Sequence, residues 1–228
     1  MRRLSSLHLL AGAAALIAVS PLAYLAVRTA SAGVQEVWDI LFRSRTLELS
    51  VASLGLAVAV SGTCILVGIP LAWLASRAAV PGGRWWLVLL SLPLAIPSFV
   101  TAYTWLAAFP GLAGFAAAWA VLTLSCLPYV ILPVAAVLSG IDPAYDDVAR
   151  TLGQSRLQSF RRTTVPLVLP AAGAGGLLVA LYTLSDFGAV SLLRFDTFTR
   201  VIFTSYRAAF DRTSAAVLSV VLVLLALV

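Results

Sequence analysis

The chain contains no lysine; all fifteen of its basic residues are arginine. A phosphate-binding loop of the GxxxxGK[ST] type uses a lysine to reach the terminal phosphates, so nucleotide hydrolysis of that kind is excluded for this chain. Histidine occurs once, at His8, which argues against a metal site built on imidazoles. The two cysteines, Cys64 and Cys126, stand in long apolar runs, far from any CxxC pattern, where a thiol serves as a small packing group. Charge of either sign is scarce: 11% of the 228 residues are charged, 61% are apolar, and the mean hydropathy is +1.03. A soluble domain of this length needs a mostly polar exterior, so the solvent implied here is a bilayer.

The few charges divide the chain. Uncharged runs of 24, 28 and 23 residues lie between Arg3 and Arg28, Glu48 and Arg77, and Arg162 and Asp186. Each exceeds the roughly 20 residues that a spanning helix requires. Between Trp85 and Ile141 there are 57 residues without a charge, and Phe109-Pro110-Gly111 is a turn signal near the middle, so this run reads as two spans joined by a tight hairpin. A last apolar run of 16 residues begins at Thr213, short of a full crossing, so the sequence reads as ending inside a sixth helix. The runs are continuously apolar and lack the alternation of lipid-facing strands, which points to an all-α integral membrane protein of about six spans. Pro70, Pro93, Pro97, Pro128 and Pro133 are expected to kink these helices without breaking them.

With the N-terminus in the cytoplasm, eight arginines lie inside (Arg2, Arg3, Arg77, Arg84, Arg150, Arg156, Arg161 and Arg162) and seven outside. Arg2 and Arg3 flank the first span, which favours this orientation. Residues 2–27 could alternatively be a cleaved leader, although their apolar run is longer than the usual core of one. The net charge of +6 is read as anchoring to anionic lipid and partner contacts, not as nucleic-acid binding.

One compact polar insert interrupts the apolar pattern: DDVARTLGQSRLQSFRRTTVPLVLP, residues 146–170. Asp142-Pro143 is a helix start, and Asp146 and Asp147 suit the positive end of the helix dipole. Tyr145, Val148, Ala149 and Leu152 recur at helical spacing as one apolar face. Gly153 can take a positive φ and end that helix. A second helix is expected from Gln154-Ser155, with Leu157 and Phe160 on one side and Arg156, Arg161 and Arg162 elsewhere, before Pro166 and Pro170 lead into the fifth span. An amphipathic surface loop that snorkels its arginines to headgroups accounts for the composition equally well.

The spacing resembles the cytoplasmic loop of permease subunits of binding-protein-dependent ABC importers, E-A-A, three residues, G, nine residues, I-x-L-P. Asp147-Val148-Ala149 stands at the first element, Gly153 at the glycine and Thr163-Thr164-Val165-Pro166 at the last. Asp for Glu, Val for Ala and Val for Leu are substitutions of similar size, while Thr163 for Ile is a polar change. LPLAIPSFVTAYTW (92–105), LPYVILPVAAVLSGIDPAYDDVARTLG (127–153) and SDFGAVSLLRFDTFTRVIFTSYRAAFDRTSAA (185–216) resemble the ferric-iron branch, whose permeases usually fuse two similar halves. The chain would match the first half from about Leu47, as a fragment or with a separate subunit supplying the other half. The division implied is residues 1–46, a first span and outer loop, and 47–228, the permease domain, with the coupling loop at about 140–166.

The resemblance implies a type I ABC importer permease that is itself not an enzyme and binds no cofactor, set in a bacterial inner membrane. Its implied partners are two cytoplasmic ATPase subunits that use ATP and Mg, a second permease half and an external binding protein for the cargo. The lever would comprise Tyr145, Asp147, Val148, Ala149, Arg150, Leu152, Gly153, Arg156 and Pro166. Thiamine, polyamine and sulfate permeases share this loop, so ferric cargo rests on family likeness.

For the translocation path, Ser98, Thr101, Tyr103 and Thr104 cluster around Pro97, and Asp186 closes the fifth span. Each has a plainer alternative, namely hydrogen bonding between helices for the hydroxyls and wetting at the interface for the carboxylate. The aromatic segment from Arg194 to Arg212, with Phe195, Phe198, Phe203, Tyr206 and Phe210, would rest on the membrane surface or receive the binding protein. A secondary transporter or channel would be expected to carry ionisable groups at mid-membrane or internal repeat symmetry, and a purely structural scaffold gives no reason for the loop spacing.

Overall fold

A computed structural model describes residues 6–77, 84–142, 151, 153, 155–207 and 211–227. Among these residues the ordered structure is helical: α1 (Ser6–Ser31), α2 (Val34–Leu41), α3 (Ser44–Arg77), α4 (Arg84–Ser91), a 3₁₀ turn (Leu92–Ala95), α5 (Ser98–Ala108), α6 (Gly114–Gly140), α7 (Arg156–Ser159), a π segment (Phe160–Thr164), α8 (Val165–Ser185), α9 (Gly188–Leu192), α10 (Phe198–Arg207) and α11 (Arg212–Leu227). Four stretches are long and apolar enough to cross a membrane: 8–31, 44–77, 114–140 and 157–185. Residues 85–95 and 98–108 make a fifth if counted as one bent span, and α11 is shorter.

The expectation of kinks without breaks holds for Pro70, Pro128 and Pro133, which lie inside α3 and α6. It is overturned at Pro93 and Pro97, where the two halves of the third apolar span meet at 92°. Pro93 sits in the first turn of the 3₁₀ segment. Pro97 then drives the residue before it, Ile96, into extended backbone (φ −108, ψ 117), which ends one helix, and its own ψ of 142 starts the next. Pro97 has no amide to bond back to the Pro93 carbonyl, which accepts instead from Ile96 in the 3₁₀ turn at 3.2 Å.

The chain forms two units. The larger runs from Ala52 to Thr197 and surrounds one core that includes Leu56, Val60 and Cys64 of α3, Leu122, Cys126 and Val130 of α6, and Val168, Ala172 and Val179 of α8. The helices approach closely because small residues stand where they cross. A Cβ on Gly175 would lie 2.5 Å from the carbonyl oxygen of Tyr129, and one on Gly176 would lie 2.5 Å from Cδ1 of Ile65. At that crossing the Ser61 hydroxyl donates to the Gly176 carbonyl at 2.7 Å. Both cysteines are unbridged and buried in this core, as small packing residues.

The smaller unit comprises residues up to Val51 together with those from Phe198. Its core is Ile40, Leu49, Phe198, Val217 and Leu218. Phe198, Val201 and Ile202 turn one face of α10 inward, while Phe203 and Tyr206 are exposed on the other face. Arg207 lies over the Phe203 ring and Arg212 over Tyr206, at 6.0 and 5.9 Å from the centroids. The aromatic segment therefore divides: Phe198 is core, Phe195 packs edge-on against Phe115, and Phe210 lies outside the described residues.

Candidate functional site

Two places in the larger unit gather the residues singled out from sequence. The first is the root of the polar loop. Helix α6 ends at Gly140, where its last carbonyls lack intrahelical partners. Arg77, the last residue of α3, supplies them: its Nη2 donates to the Leu138 carbonyl at 2.8 Å and to that of Ile141. This contact is not legible in the sequence, because 61 and 64 residues separate the partners along the chain.

Tyr145, Asp146, Asp147, Val148, Ala149, Arg150 and Leu152 lie outside the described residues, as does the helix start expected at Asp142-Pro143 beyond Asp142 itself. Gly153 is described, with φ +78. Nothing lies within 4 Å of where its Cβ would be, so the backbone turn, not a close neighbour, favours glycine.

The second loop helix starts where expected, at a reciprocal cap. The Ser155 hydroxyl accepts from the Gln158 amide at 3.3 Å, and the Gln158 side-chain oxygen accepts from the Ser155 amide at 3.0 Å. Arg156 opens α7, and Phe160 packs on Trp73 of α3 with ring centroids 5.0 Å apart, while Leu157 remains exposed. Pro166 and Pro170 do not separate this helix from the span. Pro166 occupies the first turn of α8, Pro170 lies inside it, and the π segment joins α7 to α8, so residues 157–185 form one stretch. A single-turn π segment absorbs one extra residue without ending the helix.

The second place is the broken span. Ser98, the first residue of α5, donates its hydroxyl to Oδ2 of Asp186. Oδ1 of the same carboxylate accepts from the amides of Ala189 and Val190 at 3.0 and 3.2 Å. Asp186 is only 7% exposed, so the carboxylate is not wetted at an interface but ties the start of α5 to the start of α9. The fit is close, since a Cβ on Gly188 would lie 2.7 Å from Cβ of Phe99.

The other hydroxyls named for the path do not join this cluster. Thr104 donates to the Thr101 carbonyl at 2.8 Å, Thr101 points back to the Pro97 carbonyl at 3.5 Å, and Tyr103 is exposed. The two threonine bonds lie within α5 or reach its own cap, so they do not bridge helices as the plainer alternative had it.

Residues 65–228 match the family described as binding-protein-dependent transport system inner membrane component. The chain is similar to the Fe(3+)-transport system permease protein FbpB 2 of Haemophilus influenzae, 36% identical over 202 residues, covering 89% of this chain and 40% of that protein. It thus spans less than half the length of that relative. It is also similar to the sulfate transport system permease protein CysT of Salmonella typhimurium, at 29% identity over 77% of this chain and 69% of that one. Among solved structures, an inward-facing MetNI methionine ABC transporter shares the fold at a TM-score of 0.64 and 17% identity, covering 79% of this chain and 89% of its counterpart. A helical membrane fold, a polar loop rooted between two spans and a family match over most of the chain converge: the protein belongs to the inner membrane permease family of binding-protein-dependent ABC importers.

Proposed function

We propose that this chain is one permease half of an ATP-driven importer, and that residues 142–166 are the handle by which a cytoplasmic ATPase moves it. The observation that carries this reading is the continuity of residues 157–185. A pull on the capped start at Ser155 is transmitted through the π segment into a membrane span without an intervening loop to absorb it. Arg77 and the Trp73–Phe160 contact add two attachments of the loop's ends to α3. The apolar face Tyr145, Val148, Ala149 and Leu152 would enter a groove of the ATPase, with Asp147, Arg150 and Arg156 at its rim and the exposed Leu157 beside it. Transport requires that the ATP-bound and nucleotide-free partner hold this handle differently, because equal binding shifts nothing.

The loop then faces the cytoplasm, as does the N-terminus. The complete importer contains a second permease half, two ATPase subunits that use ATP and Mg, and an external binding protein. The cargo we assign is ferric iron, supported by the identity to the Haemophilus protein; sulfate is the second reading, supported by the likeness to CysT. Ser98 and Asp186 position the broken span along the path.

The test is Gly153→Pro, which forces φ to about −65° where the loop has +78. Membrane insertion is expected to be unchanged, while co-purification of the ATPase and ATP-driven uptake of radiolabelled iron are lost. Undiminished, vanadate-sensitive uptake by this variant would contradict the assignment of the handle. Wild-type uptake blocked by an uncoupler but not by vanadate would contradict the ATP-driven reading itself.

A further inference from the structure

Both roots of the polar loop are held by a single turn of α3. Trp73 and Arg77 stand four residues apart, so their side chains leave that helix on the same face. Trp73 packs on Phe160, where the chain comes out of the loop, with ring centroids 5.0 Å apart. Nη2 of Arg77 donates to the carbonyls of Leu138 and Ile141, where the chain goes into it. We propose that these two side chains are positioning residues of the transport stroke: they clamp the handle to α3, so that α3, α6 and α8 move with it as one body. The clamp rests on the assignment of residues 142–166 as the handle and adds which spans that handle carries.

A cap for α6 accounts for one of these contacts and not for the set. Leu138 belongs to the last turn of α6, where a donor satisfies a carbonyl that the helix end leaves open. Ile141 lies beyond the helix, so the second bond fixes the direction in which the chain departs into the loop. The guanidinium stands at the ends of two helices, α3 and α6, and its charge offsets the negative pole of both. The aromatic contact one turn earlier then grips the opposite root of the loop.

The geometry of levers decides what this arrangement does. Helix α8 meets α3 at a second level, where the Ser61 hydroxyl donates to the Gly176 carbonyl. The two levels lie roughly 18 Å apart along α3, from Ser61 to Trp73, and roughly 24 Å apart from Phe160 to Gly176. A rod held at one level pivots there, whereas a rod held at two carries its neighbour along. Without the Trp73–Phe160 contact, a pull on Ser155 swings the start of α8 about Gly176 and leaves α3 behind. Helix α6 is joined to α3 in the same manner. Sγ of Cys64 donates to the Thr123 carbonyl at 3.6 Å, a Cβ on Gly68 would lie 2.9 Å from Cγ1 of Val130, and Arg77 completes the row at Leu138. A stroke taken up by local swinging consumes ATP without moving the spans.

The test uses the complex with its ATPase, reconstituted in liposomes. Uptake of radiolabelled ferric iron, presented by the binding protein, is divided by the ATP hydrolysed. Arg77→Gln should lower this ratio about tenfold, the effect of losing one charge-assisted hydrogen bond, and Trp73→Leu about threefold. Arg77→Lys, which keeps the charge and a donor but not the planar head, should recover part of the loss. A second measurement reads the clamp whatever the cargo. Nitroxides are placed at Val58→Cys and Leu157→Cys, both exposed, while the native thiols Cys64 and Cys126 are buried out of reach of the label. Their spacing should be the same in the nucleotide-free and the ATP–vanadate complex of the parent chain, and should differ between the two once Arg77→Gln and Trp73→Leu are combined.

A lowered melting temperature with the parent ratio of uptake to hydrolysis would reduce both contacts to stability alone and overturn the proposal. A parent complex whose transport is coupled while the label spacing changes with nucleotide would overturn the clamp and leave the handle standing. A parent complex that hydrolyses no ATP would contradict the handle, and the clamp would fall with it.

Discussion

Helices α1 and α6 are about equally apolar, yet none of an apolar 18-residue stretch of α1 is buried within the structure while 61% of such a stretch of α6 is. Leu9, Leu10, Leu16 and Ile17 of α1 are all exposed, whereas Val121, Leu122, Cys126, Val130 and Val134 of α6 are sealed between α3 and α8. Hydrocarbon is as good a solvent for leucine as a neighbouring helix is, so hydrophobicity places both helices in the membrane and gives neither a partner. What distinguishes them is relief. Helix α6 meets Gly175 of α8, where the two backbones can approach, while the neighbouring Gly176 lets α3 come close enough for the Ser61 hydroxyl to reach its carbonyl.

That contrast is most directly broken by leucine at one glycine in each region. Gly175→Leu drives a side chain into the backbone of α6 and should destabilise the larger unit by about 3 kcal/mol, the upper end of overpacking. Gly12→Leu in α1, where nothing stands within 4 Å, should stay within about 0.5 kcal/mol. Unfolding in detergent by denaturant separates the two, and equal losses would mean that α1 is packed after all.

Polar contacts extend the comparison. Asp186→Ala strands the Ser98 hydroxyl and two amides, an expected cost of about 2 kcal/mol, while Asp186→Asn keeps an acceptor and should lose about half as much. Melting temperatures of the two variants beside Ser98→Ala measure the tie, which should be non-additive between positions 98 and 186.

At the loop, Ser155→Ala removes one arm of a cap on an exposed helix end, for about 1 kcal/mol. Its effect should appear as faster amide exchange confined to residues 156–164.

The smallest effect concerns pH in the smaller unit. Hydrogen bonds from Ser214, side chain first and then backbone, together with the charge of Arg43, hold the Asp211 carboxyl below its ordinary range as the cap of α11. A depressed folded-state value means that this contribution is present above the ordinary Asp range and lost as pH falls through it. Ser214→Ala should therefore lower stability slightly at neutral pH, leave it little changed at acid pH, and so flatten the acid limb of the stability profile; a steeper limb would reverse the sign.

The helical membrane class and the places of the long runs were legible because composition and charge spacing are properties of the chain alone. Gly153 at positive φ and the helix start at Ser155 were legible for a similar reason, since turn and cap chemistry act over three or four residues. The break at Pro97 was misjudged as a kink. Proline is tolerated in a membrane helix, as at Pro128 and Pro133, and here it is the 3₁₀ turn around Pro93 running directly into Pro97 that ends the helix. The Asp186 tie was misjudged because burial is set by whatever packs on a residue, and Ser98 lies 88 residues away. The run PAAGAGG at 170–176 carried a signal for close packing, but it could not name Tyr129 and Ile65 as the surfaces approached.

By itself the sequence determined which solvent surrounds this protein, where its helices run and where its loop turns, since these follow from transfer free energies and local backbone sterics. Only the tertiary structure decided which apolar faces meet, that Arg77 closes the end of α6, and that a carboxylate near a span end is buried instead of wet. Those outcomes depend on shape and on hydrogen-bond partners distant along the chain. In a solvent that does not drive apolar surfaces together, shape and polar satisfaction select among arrangements that hydrophobicity leaves nearly equal.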